Sequence, residues 1–280
     1  MNIAAVVIWF NPSLEFLENI KSYSKHVQKI IIVDNSDIDN SILLEGVPDS
    51  DYIPCLKNIG VASALNVGYE RALASGAEWV LTMDQDSWFD ELEIRNFLDP
   101  NASHFKEGGV AIFAPSFDEK KNESVDCNSV ISSGSLVKLS AHQSILGYND
   151  SLFIDQVDHE YCYRLKGQGY RIIKLNWIYM HHTIGDPISK YFWGVRISSY
   201  NHNAIRRYYI TRNVLYMRKY YARFGGQHLK GLVIAIVKII ILEPDKVLKL
   251  LYMARGVNDY IFNRMGPLRP SNWWPRIILR

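Results

Sequence analysis

Cysteine is scarce in this chain, and the few present form no pattern. Cys55, Cys127 and Cys162 are odd in number, widely separated and free of any Cys-x-x-Cys spacing, which gives neither a disulfide framework nor a zinc site and suits a reducing cytoplasm. Long apolar runs are missing too, since none reaches the roughly 18 residues that a membrane span needs. Residues 3–10 are apolar, but no basic residue precedes them and they stop at Asn11-Pro12. They read as a first strand and not as a signal peptide. There is no internal repeat, no low-complexity stretch and no nucleic-acid motif. Acid is nearly absent from the rear, where residues 190–280 hold 3 Asp+Glu.

What is present is the composition of a globular chain, 48% hydrophobic and 21% charged over 280 residues. That length suits one large domain or one domain with an appendage. The formal charge of +2 conceals two unlike parts. Residues 1–189 hold 14 Lys+Arg against 26 Asp+Glu, a net −12, and residues 190–280 hold 17 against 3, a net +14. An acidic front and a basic rear imply two tasks, with the rear meeting something anionic: a membrane surface, a phosphorylated substrate or, on charge alone, nucleic acid.

Short apolar runs alternate with helical patterns through the first half, as in a βαβ series. Strands are expected at residues 3–9, 29–33, 78–83 and 110–114, and helices at 13–23, with Ser13 as cap, at about 61–75, stopped by Gly76, and at 91–98. Further on, residues 130–137 read as a strand whose Ser132-Ser133-Gly134-Ser135 would let a ligand approach the backbone. Residues 158–168 read as a helix, and 170–173 and 177–179 as short strands leading into His181-His182. Beyond residue 190, helices are expected at 227–242 and 245–255, with Pro244 between them and an irregular proline-rich tail.

The most telling stretch is Glu78-Trp-Val-Leu-Thr-Met83 followed at once by Asp84-Gln85-Asp86. Asp37/Asp39 and Asp49/Asp51 share the spacing, but only Asp84 and Asp86 follow an apolar run long enough for a central strand. Ligands of open α/β sheets gather beyond the carboxyl ends of such strands, and paired carboxylates there suit Mg²⁺ or Mn²⁺ bridging a diphosphate. The plainer reading is a helix-capping turn at Asp86 or Ser87.

Six pieces then fall in order: Val7-Ile-Trp-Phe-Asn-Pro12, Val33-Asp-Asn-Ser36, Asn58-Ile-Gly60 with Asn66-Val-Gly68, Asp84-Gln-Asp86, Phe153-Ile-Asp-Gln-Val-Asp-His-Glu160 and His182-Thr-Ile-Gly185. As a set, covering about residues 5–185, they resemble the inverting family 2 glycosyltransferases of the GT-A fold, closest to the bacterial rhamnosyltransferase branch. The resemblance implies an α/β fold with a Rossmann-like, mostly parallel mixed sheet flanked by helices. A catalytic, nucleotide-sugar-binding domain would occupy residues 1–189, with a basic, aromatic, helical extension over 190–280.

The resemblance also implies roles. Asn11, Asp34, Asn58, Gly60 and Asp84 would bind the donor, with Asp34 at the base or ribose and the amides after Gly60 near phosphate. Asp86 would hold the metal, and His182 would be a further ligand or a donor to the diphosphate. Asp158, aligned through Arg164, would be the base that deprotonates the acceptor hydroxyl. Asp155 and Glu160 would be supports or acceptor contacts, as would Ser133 and Gly134. Tyr208 and Arg212, beside Asn213, would close over the donor phosphates. Two departures stand out: Leu65 where relatives often have Arg, and Val157-Asp158 where many have Glu-Asp. Ordinary readings exist for several of these, a turn for Asp34 and helix caps for Asn58 and Asp158.

In the rear, Leu229, Leu232, Val233, Ile236, Val237 and Ile240 recur at helical spacing beside Lys230 and Lys238. Such a stripe is usually core. With Lys246, Lys249, Arg255 and Trp273-Trp274 it points to attachment on the inner face of the cytoplasmic membrane, and a homodimer contact is the rival. The resulting expectation is an inverting, Mn²⁺- or Mg²⁺-dependent transfer of a sugar, by resemblance rhamnose from dTDP-rhamnose, to a hydroxyl of a lipid-linked or polysaccharide acceptor. The alternatives are a UDP-hexose donor, or a non-catalytic nucleotide-sugar-binding or scaffold protein. A nucleotidyltransferase is disfavoured because Trp9-Phe10-Asn11-Pro12 stands where its glycine- and lysine-rich loop would be.

Overall fold

Strand β1 (Ile3–Trp9) is apolar along its whole length because both of its faces are covered. A computed structural model describes residues 1–47, 50–118, 120–182, 187–192, 195–225 and 228–270. Gly185, Gln227, Trp273 and Trp274 lie outside the described residues. After β1 come α1 (Phe16–Ser24), β2 (Lys29–Asp34), β3 (Ser50–Pro54), α2 (Val61–Ala74), β4 (Trp79–Asp84), β5 (Ser87–Trp88), α3 (Glu91–Leu98), β6 (Val110–Ser116), β7 (Ser124–Asp126), β8 (Leu136–Lys138) and α4 (Leu139–Ser144). The chain continues through α5 (Val157–Gly167), β9 (Arg171–Tyr179), β10 (His181–His182), β11 (Ile188–Phe192), β12 (Val195–Ser199), α6 (Ala204–Tyr221), α7 (His228–Leu242) and α8 (Lys246–Ile261).

The central sheet has the order β3-β2-β1-β4-β8-β6-β9-β7. Its first four strands are mutually parallel, β8 runs antiparallel between β4 and β6, and β7 is an antiparallel edge. The two-residue period of a strand divides the core into two layers. Ala4, Val6, Ile31 and Val33 face one side with Leu65 and Tyr69 of α2, and Ile3, Ala5, Ile30 and Ile32 face the other with Ile20 of α1 and Phe97 of α3. Gly68 lets α2 lie close on the sheet, since a Cβ there would meet Val6 at 2.3 Å.

The mixed α/β sheet matches the expected fold class, and most of the apolar strands and helices fall where the pattern put them. Several elements differ. The expected strand at 130–137 is reduced to β8, because Gly134 turns the chain at φ +76. Residues 170–173 and 177–179 belong to one strand, β9. Strands β3, β11 and β12 and the long helix α6 had no counterpart in the periodicity. Helix α8 runs past Arg255 to Ile261.

The rear packs through charge as well as apolar contact. Glu243, with no exposed surface, lies between Arg207 and Lys249, the latter at 2.9 Å, and also accepts from the Ser199 hydroxyl. One junction thereby fastens β12, α6, the end of α7 and α8.

Candidate functional site

The parallel strands β1, β2 and β4 deliver their carboxyl ends to a common edge, with Trp9 opposite Asp34 and Ile8 opposite Asp84 in the ladder. A second, two-stranded ribbon completes the site. Antiparallel β5 and β10 pair Ser87 with His182 and Trp88 with His181, and the Trp88 and His181 rings stack at 3.6 Å. This pairing gathers Asp84, Asp86 and His182, whose ligand atoms all lie within 4.8 Å of one another. His181 turns elsewhere, to Asp90 at 3.1 Å.

A chain of hydrogen bonds holds the cluster. The Asp84 amide donates to Ser133 Oγ at 3.1 Å, Ser133 donates to Ser87 Oγ at 2.8 Å, and Ser87 Oγ lies 2.8 Å from His182 Nδ1 and 3.4 Å from Asp86 Oδ1. Ser133 and Gly134 are therefore buried parts of the frame and not an open surface for the acceptor. Gly134 cannot carry a side chain, because a Cβ would meet Met180 Sδ at 2.4 Å.

The cluster has an excess of negative charge. Burial, Asp158 and Asp86 together raise the Asp84 carboxyl to about 7, against a lowering pull from Arg206. Burial also raises Asp158, partly offset by His159 and by hydrogen bonds from Ser132. Asp155 is raised by burial too, although it pairs with Arg206 at 3.2 Å. Hard oxygen ligands plus an imidazole, among carboxylates that Arg206 only partly offsets, fit Mg²⁺ or Mn²⁺.

Asp158 opens α5 and is delivered by a strained loop. Phe153 (φ 67, ψ −64) forms a three-residue turn in which the Ile154 amide donates to Leu152 at 2.8 Å, and Asp155 and Gln156 also have positive φ. Non-glycine residues hold such angles only when their surroundings enforce them. Helix α6 does so. Asn213 Nδ2 donates to the carbonyls of Leu152, Ile154 and Asp155 at 2.9, 2.7 and 2.9 Å. Arg212 donates to those of Ser151, Leu152 and Gly266.

This overturns the expectation that Tyr208 and Arg212 touch donor phosphate. Arg212 is wholly buried with its guanidinium committed to carbonyls, and Tyr208 is 1% exposed and donates to Asp259. Glu160 is likewise committed, buried against Arg164 at 2.9 Å and the Tyr221 hydroxyl at 2.7 Å. It braces α5 and is not an acceptor contact.

On the donor side, Asp34 is fully buried and both of its oxygens are taken, by the Ser36 amide and hydroxyl, Asn40 and Tyr52. It acts through the loop it holds. The Asn11 amide donates to Ser36 Oγ at 2.8 Å, while Asn35 accepts from the Ile59 amide and donates to Asn58. Gly60 (φ 87) is forced by contact with the loop that leads to Asp158, since a Cβ there would lie 2.8 Å from the Phe153 carbonyl oxygen. Leu65, at the position where relatives often have arginine, is buried in the core.

Sequence reading gave Ser87 only as a helix cap and Asn213 only as a neighbour of Arg212, and it passed over Arg206. Ser87 could have been found as the residue after the paired aspartates, and Arg206 as the first cation following the Asn203 cap of α6. Asn213 has no signal until its partners 58 to 61 residues away are known.

No protein-family model matches the chain. The dTDP-rhamnosyl transferase RfbF of Shigella flexneri is 30% identical over 247 residues, 78% of this chain and 80% of that protein. Among solved structures, GalNAc-T7 with UDP, GalNAc and Mn²⁺ superposes over 65% of this chain and 44% of its own, with a TM-score of 0.54 and 10% identity. S. aureus TarS superposes over 93% of this chain and 44% of its own, with a TM-score of 0.51 and 13% identity. The chain thus spans less than half the length of these two structures, and the likeness to them is one of fold. Sheet order and site geometry define the class: a glycosyltransferase of the GT-A fold. Within it, the chain belongs to the rhamnosyltransferase-like family that includes the Shigella enzyme.

Proposed function

We propose that this enzyme transfers L-rhamnose from dTDP-rhamnose, with inversion, to a hydroxyl of a lipid-linked or polysaccharide acceptor. The observation that carries the reading is the convergence of Asp84, Asp86 and His182 at the strand edge, with Asp158 near enough to raise the Asp84 carboxyl. Kinship with the dTDP-rhamnosyl transferase supports the donor. Asp86 and His182 would hold the divalent ion, with Asp84 between it and the donor. When bound, the ion neutralises charge developing on the departing diphosphate. His182 suits this role if Ser87 gives its proton to Asp86 and accepts from Nδ1–H, which leaves the Nε2 lone pair free. Asp158, ionised, takes the proton of the attacking hydroxyl. Arg206, in place of Tyr208 and Arg212, would meet the donor phosphates, since it lies beside Asp155 and lowers Asp84.

Calorimetric titration with dTDP and with UDP, each with and without Mn²⁺, tests the reading. Mn²⁺-dependent binding that favours dTDP and vanishes in Asp86→Ala is expected. Preference for UDP would replace the donor sugar, and absence of binding to both would overturn the enzyme assignment for this site. NMR of the product made from dTDP-β-L-rhamnose reads the stereochemistry, and a retained anomer would remove Asp158 as base.

The reading includes attachment to a membrane surface through α7, whose Val233, Ile234, Val237 and Ile240 are 61%, 54%, 48% and 51% exposed beside Lys230 and Lys238. Among the described residues, no helix is long and apolar enough to cross a membrane. Flotation with phosphatidylglycerol vesicles should be lost in Val237→Asp/Ile240→Asp. Flotation unchanged, with a shift from dimer to monomer in sedimentation, would make this face a subunit contact instead.

A further inference from the structure

A cleft of about 750 Å³ lies between the start of α2 and the segment that follows α8, within the size range of ligand pockets, roughly 300–1,000 Å³. Lys57 and Ser63 lie on one wall and Arg264 and Arg269 on the other. Among the described residues, the side chains of Lys57 and Arg269 make no ion pair, and Arg264 reaches Asp259 only at 3.6 Å with 56% of its side chain exposed. The acid in the lining, Asp150, already accepts from Asn66 at 2.6 Å. Three cations therefore converge on a cavity whose lining holds one carboxylate, Asp150, and two of them are arginines, whose planar fork suits phosphate oxygens.

The surroundings narrow the ligand. Phe153, of the loop that leads to Asp158, also lines the cleft, so it opens beside that loop. Ile261 and Phe262 directly precede the lining residues Asn263 and Arg264 and are 67% and 62% exposed. A free anion has no use for such residues, whereas a phosphorylated lipid has use for both. We infer that this cleft binds the diphosphate headgroup of the lipid-linked acceptor, with the lipid tail running over Ile261 and Phe262. The ligand's identity as acceptor rests on the proposed function.

The test is calorimetric titration of the full chain, saturated with dTDP and Mn²⁺ so that the donor site is filled, with farnesyl diphosphate and with inorganic pyrophosphate. Farnesyl diphosphate should bind more tightly than pyrophosphate. The triple variant Lys57→Gln/Arg264→Gln/Arg269→Gln should weaken both by roughly 10- to 100-fold, the scale of losing charge-assisted hydrogen bonds. Ile261→Ser/Phe262→Ser should abolish the preference for the lipid and leave pyrophosphate binding alone. Unchanged farnesyl diphosphate binding in the triple variant would overturn the site. Equal binding of the two probes would overturn the lipid and leave a free-phosphate site. Loss of dTDP–Mn²⁺ binding in the wild type would instead count against the proposed function, so the two failures read apart.

Discussion

Two carboxylate clusters of this molecule are built on opposite plans. At the sheet edge, Asp84, Asp86 and Asp158 crowd together, and burial with mutual repulsion raises Asp84 to about 7. In the rear, Glu243 is more deeply buried, yet hydrogen bonds from Lys249 and Ser199 and the charge of Arg207 outweigh burial and hold its carboxyl below the usual range. Where the chain supplies the balancing cations, the cluster fastens helices. Where carboxylates outnumber the neighbouring cation, as they do beside Arg206, negative charge is left in excess. The same charge type thus has two uses, told apart by whether its neighbours close the electrostatic account.

The sharpest way to break this contrast is Glu243→Ala, which would strand Arg207 and Lys249 without a counter-charge. A loss of about 3–5 kcal/mol is expected, read from urea unfolding. Next in size is Asp158→Asn, which should leave dTDP affinity intact and slow transfer by about 10²-fold or more. Near-normal transfer would move the base to Asp155. Arg206→Gln should weaken dTDP–Mn²⁺ binding by about tenfold, the cost of one charge-assisted contact, whereas Arg212→Gln should act on stability with the loop it clamps. The smallest effect is on folding of the front cluster: Asp86→Asn should change metal-free stability by no more than about 0.5 kcal/mol, in the stabilising direction, because it removes repulsion.

Acidity gives a further handle. A carboxyl raised from 3.8 to about 7 contributes stability that is fully present below pH 3.8 and is lost as pH rises through 7. Metal-free protein should therefore lose stability across that window on account of Asp84. Mn²⁺ binds the ionised form, so the rise in Tm that it produces should be larger at pH 8 than at pH 5.5. An equal rise at both values would mean that Asp84 is not part of the metal site.

Much of the front was legible because its strands are buried on both faces and so read as continuous apolar runs. Strand β3, Ser50-Asp-Tyr-Ile-Pro54, is a half-exposed edge and carries no such run. Helix α6 escaped for the opposite reason. Its buried face includes Arg207, Arg212 and Asn213, so no apolar stripe marks it. The motifs pointed to Asp86 and His182 as metal ligands and to Asp84 as a donor contact, and the fold gathers the three; Arg212, expected at the donor phosphates, meets backbone carbonyls. Pattern alone does not distinguish a guanidinium that meets a ligand from one that meets backbone carbonyls 54 to 61 residues away.

The clamp on the turn at Phe153 has a consequence for how this enzyme can diverge. The shape of residues 151–156 is dictated by side chains of α6 and, from the other flank, by the amide of Ala62. Their own identities contribute little to it. The loop is thus a mould with an interchangeable lining: Ile154 and Gln156 can drift while Arg212 and Asn213 keep its backbone in place. A front segment cut away before α6 would carry every one of the six sequence motifs and lose the jig that aligns them.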